Sequence, residues 1–588
     1  MSLHKITAGS GYDYLTRQVA VQDSTEKGHT GLASYYTQRG ETPGQWLGSG
    51  MAGIDGLDAG DLVTAEQMQN LFGAGMHPLA QQRMDALHGP ELTEADYREA
   101  SRLGSPFKIH TPDVSPFRVE VAKRLAALNL LEGAPSRSAV AASERARIRT
   151  EVGREFFRVE FGREPADARE LAGLIAKLSR PQTTAIAGFD LTFSPVKSVS
   201  TLWALADPHT AATIERCHQA AIADALRFIE THALFTRTGA KGVRQVNVRG
   251  LVAAAFTHRD SRAGDPDLHT HVAVANKVQT HDGRWLSIDG RVLFKAKVTA
   301  SETYNTALER HLADALGVRF VDRQSSAGRR PVREIDGVDP ALNTRWSARR
   351  RSIEARRDEL AVEFQATHGR PPTPVETLAL AQQANLETRE AKHEPRTLAE
   401  QRTAWRTQAE AVLGGQDGVR RMIHAALHPG RIAGPVLDDA WFTSTAACIV
   451  GTVESSRATW QSWHVRAEAQ RRARASSVPT AQLEAVVERL VATALGEHSL
   501  PLAVPADGIS EPSVLRRVDG QSVYTVAGAE LFTSPRILAA EQRLVEAAGR
   551  REGRAVDQAT VDVALLETAA NGVELNAGQV ALVRAMAC

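Results

Sequence analysis

Alternating apolar and polar positions predict strands separated by amphipathic helices in the first half of this chain. The stretch "AIAGFDLTFSPVKSVSTLWALA" begins as an apolar strand, turns at Ser-Pro and continues as a helix capped near Ser198. The stretch "DPHTAATIERCHQAAIADALRFIETHA" keeps apolar residues at helical spacing and predicts an amphipathic helix. A further helix is predicted in "SETYNTALERHLADALGVRF".

Two strand pairs are predicted between these helices. The stretch "ALFTRTGAKGVRQVNVRGLVAAAFTHRD" alternates through a glycine-containing turn, which is typical of a β-hairpin. A second strand pair follows in "THRDSRAGDPDLHTHVAVANKV", with Gly264 and Pro266 in the connection. The order predicts an α+β fold in which helices pack on an antiparallel sheet.

The remaining segments predict the domain organisation. Residues 1–60 predict strands and loops with short helical pieces, and residues from about 80 to 180 predict helices. From about 345 to 415 the chain is helical and rich in Arg and Glu. The composition shifts after "AVLGGQDG", so we place a boundary near 415–420 and expect a second, mainly helical module over 416–588.

Composition and charge describe a globular protein of several domains. The 588 residues are 43% hydrophobic and 24% charged, with a net charge of +1. Cys217, Cys448 and Cys588 form no CxxC motif, which suits a reducing cytoplasm. No apolar run approaches the ~18 residues of a membrane span, and the start "MSLHKITAGSGYDYL" lacks the apolar segment of a signal peptide. We therefore expect a cytoplasmic protein without a membrane partner; no oligomer is indicated.

Three histidines stand out beside apolar strand positions. His269 and His271 are two residues apart, so a strand places both on one face, and His258 is eleven residues earlier, where a neighbouring strand brings it alongside. Three neutral imidazoles on a rigid sheet are typical of a divalent-metal site with open coordination positions. Any one of them alone is more typical of an ordinary core or surface histidine.

Tyrosines and one aspartate form the other candidate chemistry. Four of the seven tyrosines lie in the first 36 residues, at Tyr12, Tyr14, Tyr35 and Tyr36. An aromatic patch on strands is the alternative, and a phenol of pKa ~10 needs help to act as a nucleophile. Asp190 lies inside an apolar strand, where a carboxylate needs a partner such as the N–H of a metal-bound histidine. A capping role is the alternative for Asp190.

These motifs together resemble those of the TrwC/TraI (MobF) conjugative relaxases, an HUH-type endonuclease family. The resemblance rests on "FDLTFSPVKSVS" followed by "HRDSRAGDPDLHTHVAVAN", and on "SGYDYL" and "SYYTQRGETPGQWLGSG" near the start. It covers roughly residues 1–415, with a possible insertion at about 50–180 that does not align. The resemblance implies an HUH relaxase-like domain that nicks transfer-origin DNA and later rejoins it.

The resemblance also implies the roles of the candidate residues. His258, His269 and His271 would bind a divalent metal, Mg²⁺ or Mn²⁺ first and Zn²⁺ or another ion as alternatives. Tyr12 or Tyr14 would attack the DNA to give a 5′-phosphotyrosyl intermediate, Tyr35 or Tyr36 would serve a second exchange, and Asp190 would orient a histidine. Asp13 splits the first tyrosine pair, so the nucleophile stays open, with a slight preference for Tyr12.

Basic side chains near these motifs are candidates for DNA binding. They are Arg237, Lys241, Arg244 and Arg249 in the predicted hairpin, Arg349, Arg350 and Arg351 on a predicted helix near Trp346, and Lys197 after the Asp190 strand. Phosphate contacts would position the DNA, and a two-stranded hairpin is one kind of element that reads a groove. Charge runs are more commonly solvated faces, and that alternative stays open here.

The second module resembles the start of the RecD-like helicase portion that follows the relaxase in this family. No GxxxxGK[ST] loop occurs before Cys588, so we expect no ATPase activity from these residues. The implied partners are single-stranded and hairpin DNA of a transfer origin, relaxosome accessory proteins and a coupling protein, with translocation alongside the DNA an open alternative. A rolling-circle replication initiator, a three-histidine metallohydrolase and a pure DNA-binding module are the competing functions.

Overall fold

A computed structural model describes most of the chain and divides it into two compact units. The described residues are 1–13, 15, 44–88, 92–109, 115–131, 133, 135, 140–179, 184–323, 330–388, 396–430, 434–502, 511–550 and 555–587. The first unit comprises residues 1–436, 470–487 and 506–529, and the second comprises 437–469, 488–505 and 530–588. Segments beyond residue 416 therefore contribute to the first unit, while the predicted domain boundaries stay predictions.

A five-stranded antiparallel sheet forms the centre of the first unit. Its strand order is β1-β3-β7-β6-β2, and every neighbouring pair is antiparallel. With the helices around it, the sheet confirms the predicted α+β class. The strands are β1 Ser2–Thr7, β2 Gln45–Leu47, β3 Ile186–Phe193, β4 Phe235–Thr238, β5 Arg244–Asn247, β6 Ala253–Asp260, β7 Pro266–Ala275, β8 Val278–Gln279, β9 Trp285–Leu286, β10 Phe320–Arg323, β11 Val332–Ile335, β12 Leu500–Pro501 and β13 Phe532–Thr533.

Helices make up most of the rest of the described residues. They are α1 Ala65–Met68, α2 Ala80–Asp85, α3 Glu94–Ala100, α4 Pro116–Leu131, α5 Ala142–Phe161, α6 Ala168–Ser179, α7 Lys197–Leu205, α8 Pro208–His232, α9 Gly290–Leu316, α10 Pro340–Arg345, α11 Ala348–His368, α12 Pro374–Glu387, α13 Leu398–Leu413, α14 Gln416–Leu427, α15 Asp439–Glu454, α16 Ser462–Ala475, α17 Leu483–Gly496, α18 Pro535–Gly549, α19 Gln558–Ala570 and α20 Ala577–Ala587. None of the described helices combines the length and apolar character needed to cross a bilayer.

The two faces of the sheet bury different parts of the chain. On one face, Phe256 and Ala273 pack in a core cluster with Trp46 and Phe72. This cluster also contains residues between 51 and 72, so the start of the possible insertion belongs to the core of the sheet. The opposite face is covered by α8 and α9, which pack against each other, and Tyr304 of α9 lies 5.1 Å from the ring of Phe193.

Local predictions near the site are mostly confirmed, with two shifts. The hairpin is present as β4 and β5. Helix α7 begins at Lys197 after Val196, so the predicted cap at Ser198 is wrong: the Ser198 hydroxyl instead accepts the N–H of Ile335 at 2.8 Å. Pro266, predicted in a connection, is the first residue of β7.

The second unit is mainly helical, as predicted for the C-terminal part. Its short strands β12 and β13 pair with each other. The fully buried Trp460 exchanges main-chain hydrogen bonds of 2.8 and 2.9 Å with Phe532. These contacts fix the start of α18 against the rest of that unit's fold, because Ser534, its cap, directly follows β13.

Candidate active site

Strand register brings the three histidines together on one face of the sheet. His258 of β6 is paired with His269 of β7, and Phe256 is paired with His271. Cross-strand partners and residues two apart share a face, so all three imidazoles lie on the side of the core cluster. Their ring centres are 5.3, 5.4 and 5.5 Å apart. The predicted convergence is therefore present.

Each of the two β7 histidines is oriented through its Nδ1 atom. Nδ1 of His269 donates to the main-chain oxygen of Asp267 at 2.7 Å. Nδ1 of His271 donates to the two carboxylate oxygens of Asp190 at 3.0 and 2.9 Å. The tautomers are assigned from these acceptors, and they leave Nε2 of each ring as the nitrogen that can bind a cation.

Burial affects the protonation of His269. It also surrounds the carboxylate next to His271, since the Asp190 side chain is 4% exposed. Burial lowers the pKa of His269, and the neighbouring His271 lowers it further, against the opposing effect of Asp267. His269 is therefore neutral at pH 7, which is the form that binds metal ions.

The spacing of the rings fits a divalent cation. Three imidazoles that bind one ion at about 2.1 Å and a tetrahedral angle have ring centres roughly 5 Å apart, close to the observed separations. Among the described residues, however, no three His, Cys, Asp or Glu side chains are already closed around a common point. Binding a cation therefore requires small rotations of the three rings. Their shared face and spacing make those rotations short.

Tyr12 is the one member of the predicted tyrosine set that the structure describes. It lies in the turn after β1 with 9% of its surface exposed, inside the core cluster that also contains Phe256 and Ala273. Burial raises the pKa of Tyr12, and the charge of Asp13 raises it further. Its phenol is thus less ionised than a free one and needs a base or a polarised target to react. Tyr14, Tyr35 and Tyr36 lie outside the described residues.

A buried histidine behind the site was missed by sequence reasoning. His218 of α8 contacts the hydroxyl of Thr270 through Nε2 at 2.9 Å and the hydroxyl of Tyr304 through Nδ1 at 2.8 Å. Thr270 lies between the two β7 histidines and points to the opposite face of the sheet. Burial, and then the nearby His269, lower the pKa of His218 to about 3. The signal was its position on the apolar stripe of the helix, next to Cys217 and Ala221.

The basic residues of the predicted hairpin fall into two groups. Arg237 is held by Asp289, with Nε 2.7 Å from a carboxylate oxygen, and by the carbonyl of Gly242. The other three are exposed: Lys241, Arg244 and Arg249. The structure therefore offers three hairpin cations to a ligand and ties the fourth to the protein.

The hairpin is also contacted by a segment far along the chain. The main-chain N–H of Gln245 donates to the carbonyl of Val523 at 2.7 Å, and the side-chain oxygen of Gln245 accepts the N–H of Ala527 at 2.7 Å. The side chain of Asn247 accepts the N–H of Val518 at 3.0 Å. These contacts lie within the first unit and cover one edge of the hairpin, which no local pattern predicts.

The basic residues of helix α11 and Lys197 also have protein partners. Arg349 donates to Asn385 at 2.7 Å, Arg350 to Glu354 at 2.9 Å and Arg351 to the carbonyl of Arg345 at 3.3 Å. Lys197 donates to the carbonyl of Pro266 at 2.9 Å and lies 3.3 Å from a carboxylate oxygen of Asp267. The predicted DNA-binding roles stay predictions.

Known proteins resemble this chain over much of its length. A family model described as TrwC relaxase matches residues 8–412. The multifunctional conjugation protein TraI of Escherichia coli is 36% identical over 177 residues, which is 28% of this chain and 10% of that protein. TraI of Escherichia coli strain K12 is 34% identical over 182 residues, 27% of this chain and 10% of that protein. The chain thus matches about a tenth of the length of these relatives.

A solved structure is similar over a larger share of both chains. It is conjugative relaxase TrwC in complex with oriT DNA in a metal-bound form, with 20% sequence identity and a TM-score of 0.39. The alignment covers 71% of this chain and 99% of that chain.

Proposed function

Because this chain belongs to the TrwC relaxase family, we propose that it nicks single-stranded DNA at a conjugative transfer origin by tyrosine transesterification and later rejoins the strand. The observation that carries the proposal is the convergence of His258, His269 and His271, with ring centres 5.3–5.5 Å apart, on the sheet face that also buries Tyr12. The family motifs and the name of the TraI relatives support the same reaction.

The three imidazoles would hold a divalent cation, with Asp190 fixing the ring of His271. When bound, such an ion withdraws charge from the scissile phosphate and holds it in place for attack. Among the predicted ions, three nitrogen donors favour Mn²⁺ over Mg²⁺, because Mg²⁺ prefers oxygen ligands. The cation is therefore proposed as Mn²⁺ or another transition metal, with Zn²⁺ included.

The nucleophile is one of the first tyrosine pair, Tyr12 or Tyr14. Its phenolic oxygen forms a bond to phosphorus while the bond from phosphorus to the 3′ oxygen breaks. The phenol proton passes to a base, for which Asp190 is the proposed residue, and the 3′ oxygen takes up a proton. The number of phosphoester bonds is unchanged, so the 5′-phosphotyrosyl link keeps the energy needed for rejoining. Tyr35 or Tyr36 would accept the strand in a second exchange.

DNA positioning is assigned to the basic residues outside the metal centre. Lys241, Arg244 and Arg249 are exposed on and beside the hairpin and are suited to phosphate contacts. We propose the same for the three arginines of α11, Arg349, Arg350 and Arg351. The wider predictions also belong to this proposal: cytoplasmic location, accessory and coupling proteins as partners, and no ATP turnover by these residues.

A covalent-trapping experiment tests the reaction. The full chain is incubated with a 5′- or 3′-labelled single-stranded oligonucleotide from a transfer origin and Mn²⁺ or Mg²⁺, and SDS-resistant protein–DNA adducts are measured. We expect an adduct with the 3′-labelled strand alone, together with a shortened 5′-labelled product. Peptide mapping of the adduct identifies the tyrosine.

Variants separate the proposed mechanism from its competitors. Tyr12→Phe or Tyr14→Phe should abolish the first adduct, whereas Tyr97→Phe on the exposed face of α3 should not. Cleavage that survives Phe at Tyr12, Tyr14, Tyr35 and Tyr36 together would indicate a three-histidine hydrolase. DNA binding without any cleavage would indicate a binding module, and DNA-stimulated ATP turnover would contradict the expected absence of ATPase activity.

A further inference from the structure

Lys197 occupies an unusual place for a lysine. It is the first residue of α7, and a positive charge there opposes the positive end of the helix dipole. Its side chain is only 19% exposed, and its Nζ atom faces the start of β7 rather than solvent. The helix dipole therefore does not favour a lysine at this position.

Contacts of Lys197 and Ser200 join α7 to three successive residues of β7. Nζ donates to the carbonyl of Pro266 at 2.9 Å and lies 3.3 Å from a carboxylate oxygen of Asp267. One turn further into α7, the Ser200 hydroxyl accepts the N–H of Leu268 at 3.2 Å. The helix thus fixes the main chain immediately before His269.

The pairing of β7 with β6 is irregular at this end. The register shifts between His258 and Asp260, and Asp260 is paired with Pro266 beyond the shift. Pro266 has no N–H to donate to the ladder. The regular register therefore ends at the pair of His258 and His269, where a link from α7 adds to the hold of the sheet on the residues just beyond it.

The position of Asp267 in turn sets the orientation of His269. Its main-chain oxygen accepts the Nδ1–H of His269 at 2.7 Å, and its carboxylate lies 3.7 Å from the same nitrogen. A shift of Asp267 would change the ring angle and the tautomer preference of His269. Partners of this kind behind a metal-binding histidine typically change metal affinity 10- to 100-fold when removed.

We propose that Lys197 is a positioning residue that acts through Asp267 to hold His269 ready to bind the catalytic cation. The inference rests on the proposed function, because it assigns a cation to the three histidines. It competes with the sequence-based prediction that Lys197 contacts DNA phosphate, and the two roles have different measurable consequences.

The test compares cation affinity with DNA affinity in the full chain. Mn²⁺ binding is measured by electron paramagnetic resonance of free Mn²⁺, without DNA. Affinity for a single-stranded oligonucleotide is measured in EDTA over a range of salt concentrations. For Lys197→Met we expect Mn²⁺ binding roughly 10-fold weaker, the lower end of the range for groups behind a metal-binding histidine, with an unchanged dependence of log DNA affinity on log salt. Lys197→Arg, which keeps the charge and the reach, should recover most of the Mn²⁺ affinity.

Lys241→Met is the matched control, since it removes the same charge from the exposed hairpin. It should leave Mn²⁺ affinity unchanged and reduce the salt slope by about 0.7, the value for one phosphate contact on a single strand. If Lys197→Met behaves like Lys241→Met, Lys197 contacts phosphate and the proposal is overturned. Mn²⁺ affinity within about threefold of wild type also overturns it.

Two further proteins make the outcome unambiguous. Asp267→Asn tests the same link if Lys197→Met does not fold, and it should weaken Mn²⁺ binding several-fold; unchanged affinity counts against the proposal. His269→Ala reports on the cation site itself. If His269→Ala does not reduce the Mn²⁺ binding of wild type, or wild type binds no Mn²⁺, the proposed function fails. If His269→Ala does reduce it and Lys197→Met binds Mn²⁺ as tightly as wild type, only the positioning role of Lys197 fails.

Discussion

The histidine centre and the basic surfaces differ in what their side chains contact in the folded structure. At the centre, His258, His269 and His271 converge from adjacent strands to ring separations of 5.3–5.5 Å. Among the basic residues, Arg237 is paired with Asp289, and Arg350 with Glu354. The three imidazoles lie side by side on one face of the sheet, whereas these two arginines bind the protein's own carboxylates.

The difference follows from what each pattern specifies. Alternation along a strand fixes the direction of a side chain, and an antiparallel register fixes its neighbour. A run of arginines fixes only charge, and the partner of each guanidinium depends on residues distant in sequence. Asp289 lies 52 residues after Arg237, and nothing in the hairpin sequence indicates it. Candidate ligands on strands are therefore more informative than candidate DNA contacts in charge runs.

The strongest test of the histidine centre removes the carboxylate behind it. Asp190→Asn replaces the acceptor of the His271 Nδ1–H with an amide that is a weaker acceptor. We expect Mn²⁺ affinity to fall about 10- to 100-fold, and nicking at subsaturating Mn²⁺ to fall with it. Both are measured on the full chain, by Mn²⁺ titration and by the rate of adduct formation.

A neighbouring substitution controls for general disturbance of β3. The Thr192 hydroxyl is 3.3 Å from the same Nδ1 atom, so Thr192→Val removes a contact of the same ring without removing the carboxylate. It should change Mn²⁺ affinity less than threefold. Equal losses of Mn²⁺ affinity in both variants would mean that Asp190 has no special role. The partners of the histidines would then be no better specified by the strands than those of the arginines are by the charge runs.

The sequence predicted that the three histidines and Asp190 lie together, but not the long-range contacts around them. Strand alternation around "HTH" was sufficient to place His269 and His271 on one face, and the single intervening connection was sufficient to bring His258 alongside. The acid inside the Asp190 strand indicated that the carboxylate has a partner, which is His271. These predictions depend on residues in adjacent strands, where geometry is repetitive. The family assignment drawn from the same motifs is confirmed.

Long-range contacts account for the features that were not predicted. Ser198 was expected to cap a helix but bonds the N–H of Ile335, 137 residues later. Gln245 of the hairpin is buried by Val523 and Ala527, almost 300 residues away. Such pairings leave no local period or spacing in the sequence, because each depends on how separate elements pack. Lys197 was predicted as a DNA contact with a surface lysine as the alternative, and its contact with Asp267 was not predicted because it spans 70 residues.

A smaller effect concerns the reverse face of the strands that carry the histidines. The pKa of His218 is about 3 in the folded state and ordinarily 6.5, so the folded protein holds this ring neutral. Its contribution to stability is complete above pH 6.5 and declines as the pH falls from 6.5 towards 3, because the unfolded chain gains the proton first. The loss is about 1.4 kcal/mol per pH unit.

His218→Gln isolates this term because it keeps a polar group but cannot be protonated. The free energy of unfolding is measured by urea titration between pH 6.5 and 4.5 for both proteins. As the pH falls, the free energy of unfolding of wild type should decrease more steeply than that of His218→Gln, by about 1.4 kcal/mol per pH unit. Parallel pH dependences would show that His218 is protonated in the folded state. Water would then reach this ring more readily than its distances to Thr270 and Tyr304 indicate.

The smallest expected effect, a change in DNA binding, tests the comparison directly, because the same charge is removed from two places in one hairpin. Arg244 is exposed, whereas Arg237 is bonded to Asp289, whose side chain is 4% exposed. Arg244→Ala should weaken single-stranded DNA binding a few-fold and lower the salt slope by about 0.7, with little change in stability. Arg237→Ala should instead cost about 1–3 kcal/mol of stability, because it leaves a buried carboxylate without its cation.

Both variants are measured by urea unfolding and by DNA affinity at several salt concentrations. A salt-slope change for Arg237→Ala equal to that for Arg244→Ala would show that Arg237 leaves Asp289 to contact phosphate when DNA binds. The ion pair would then be the arrangement of a DNA-binding arginine in the absence of DNA. Charge runs would in that case predict the DNA interface better than the ion pairs of the free protein do. An unchanged salt slope for Arg244→Ala would instead indicate that this exposed cation of the hairpin does not contact DNA phosphate.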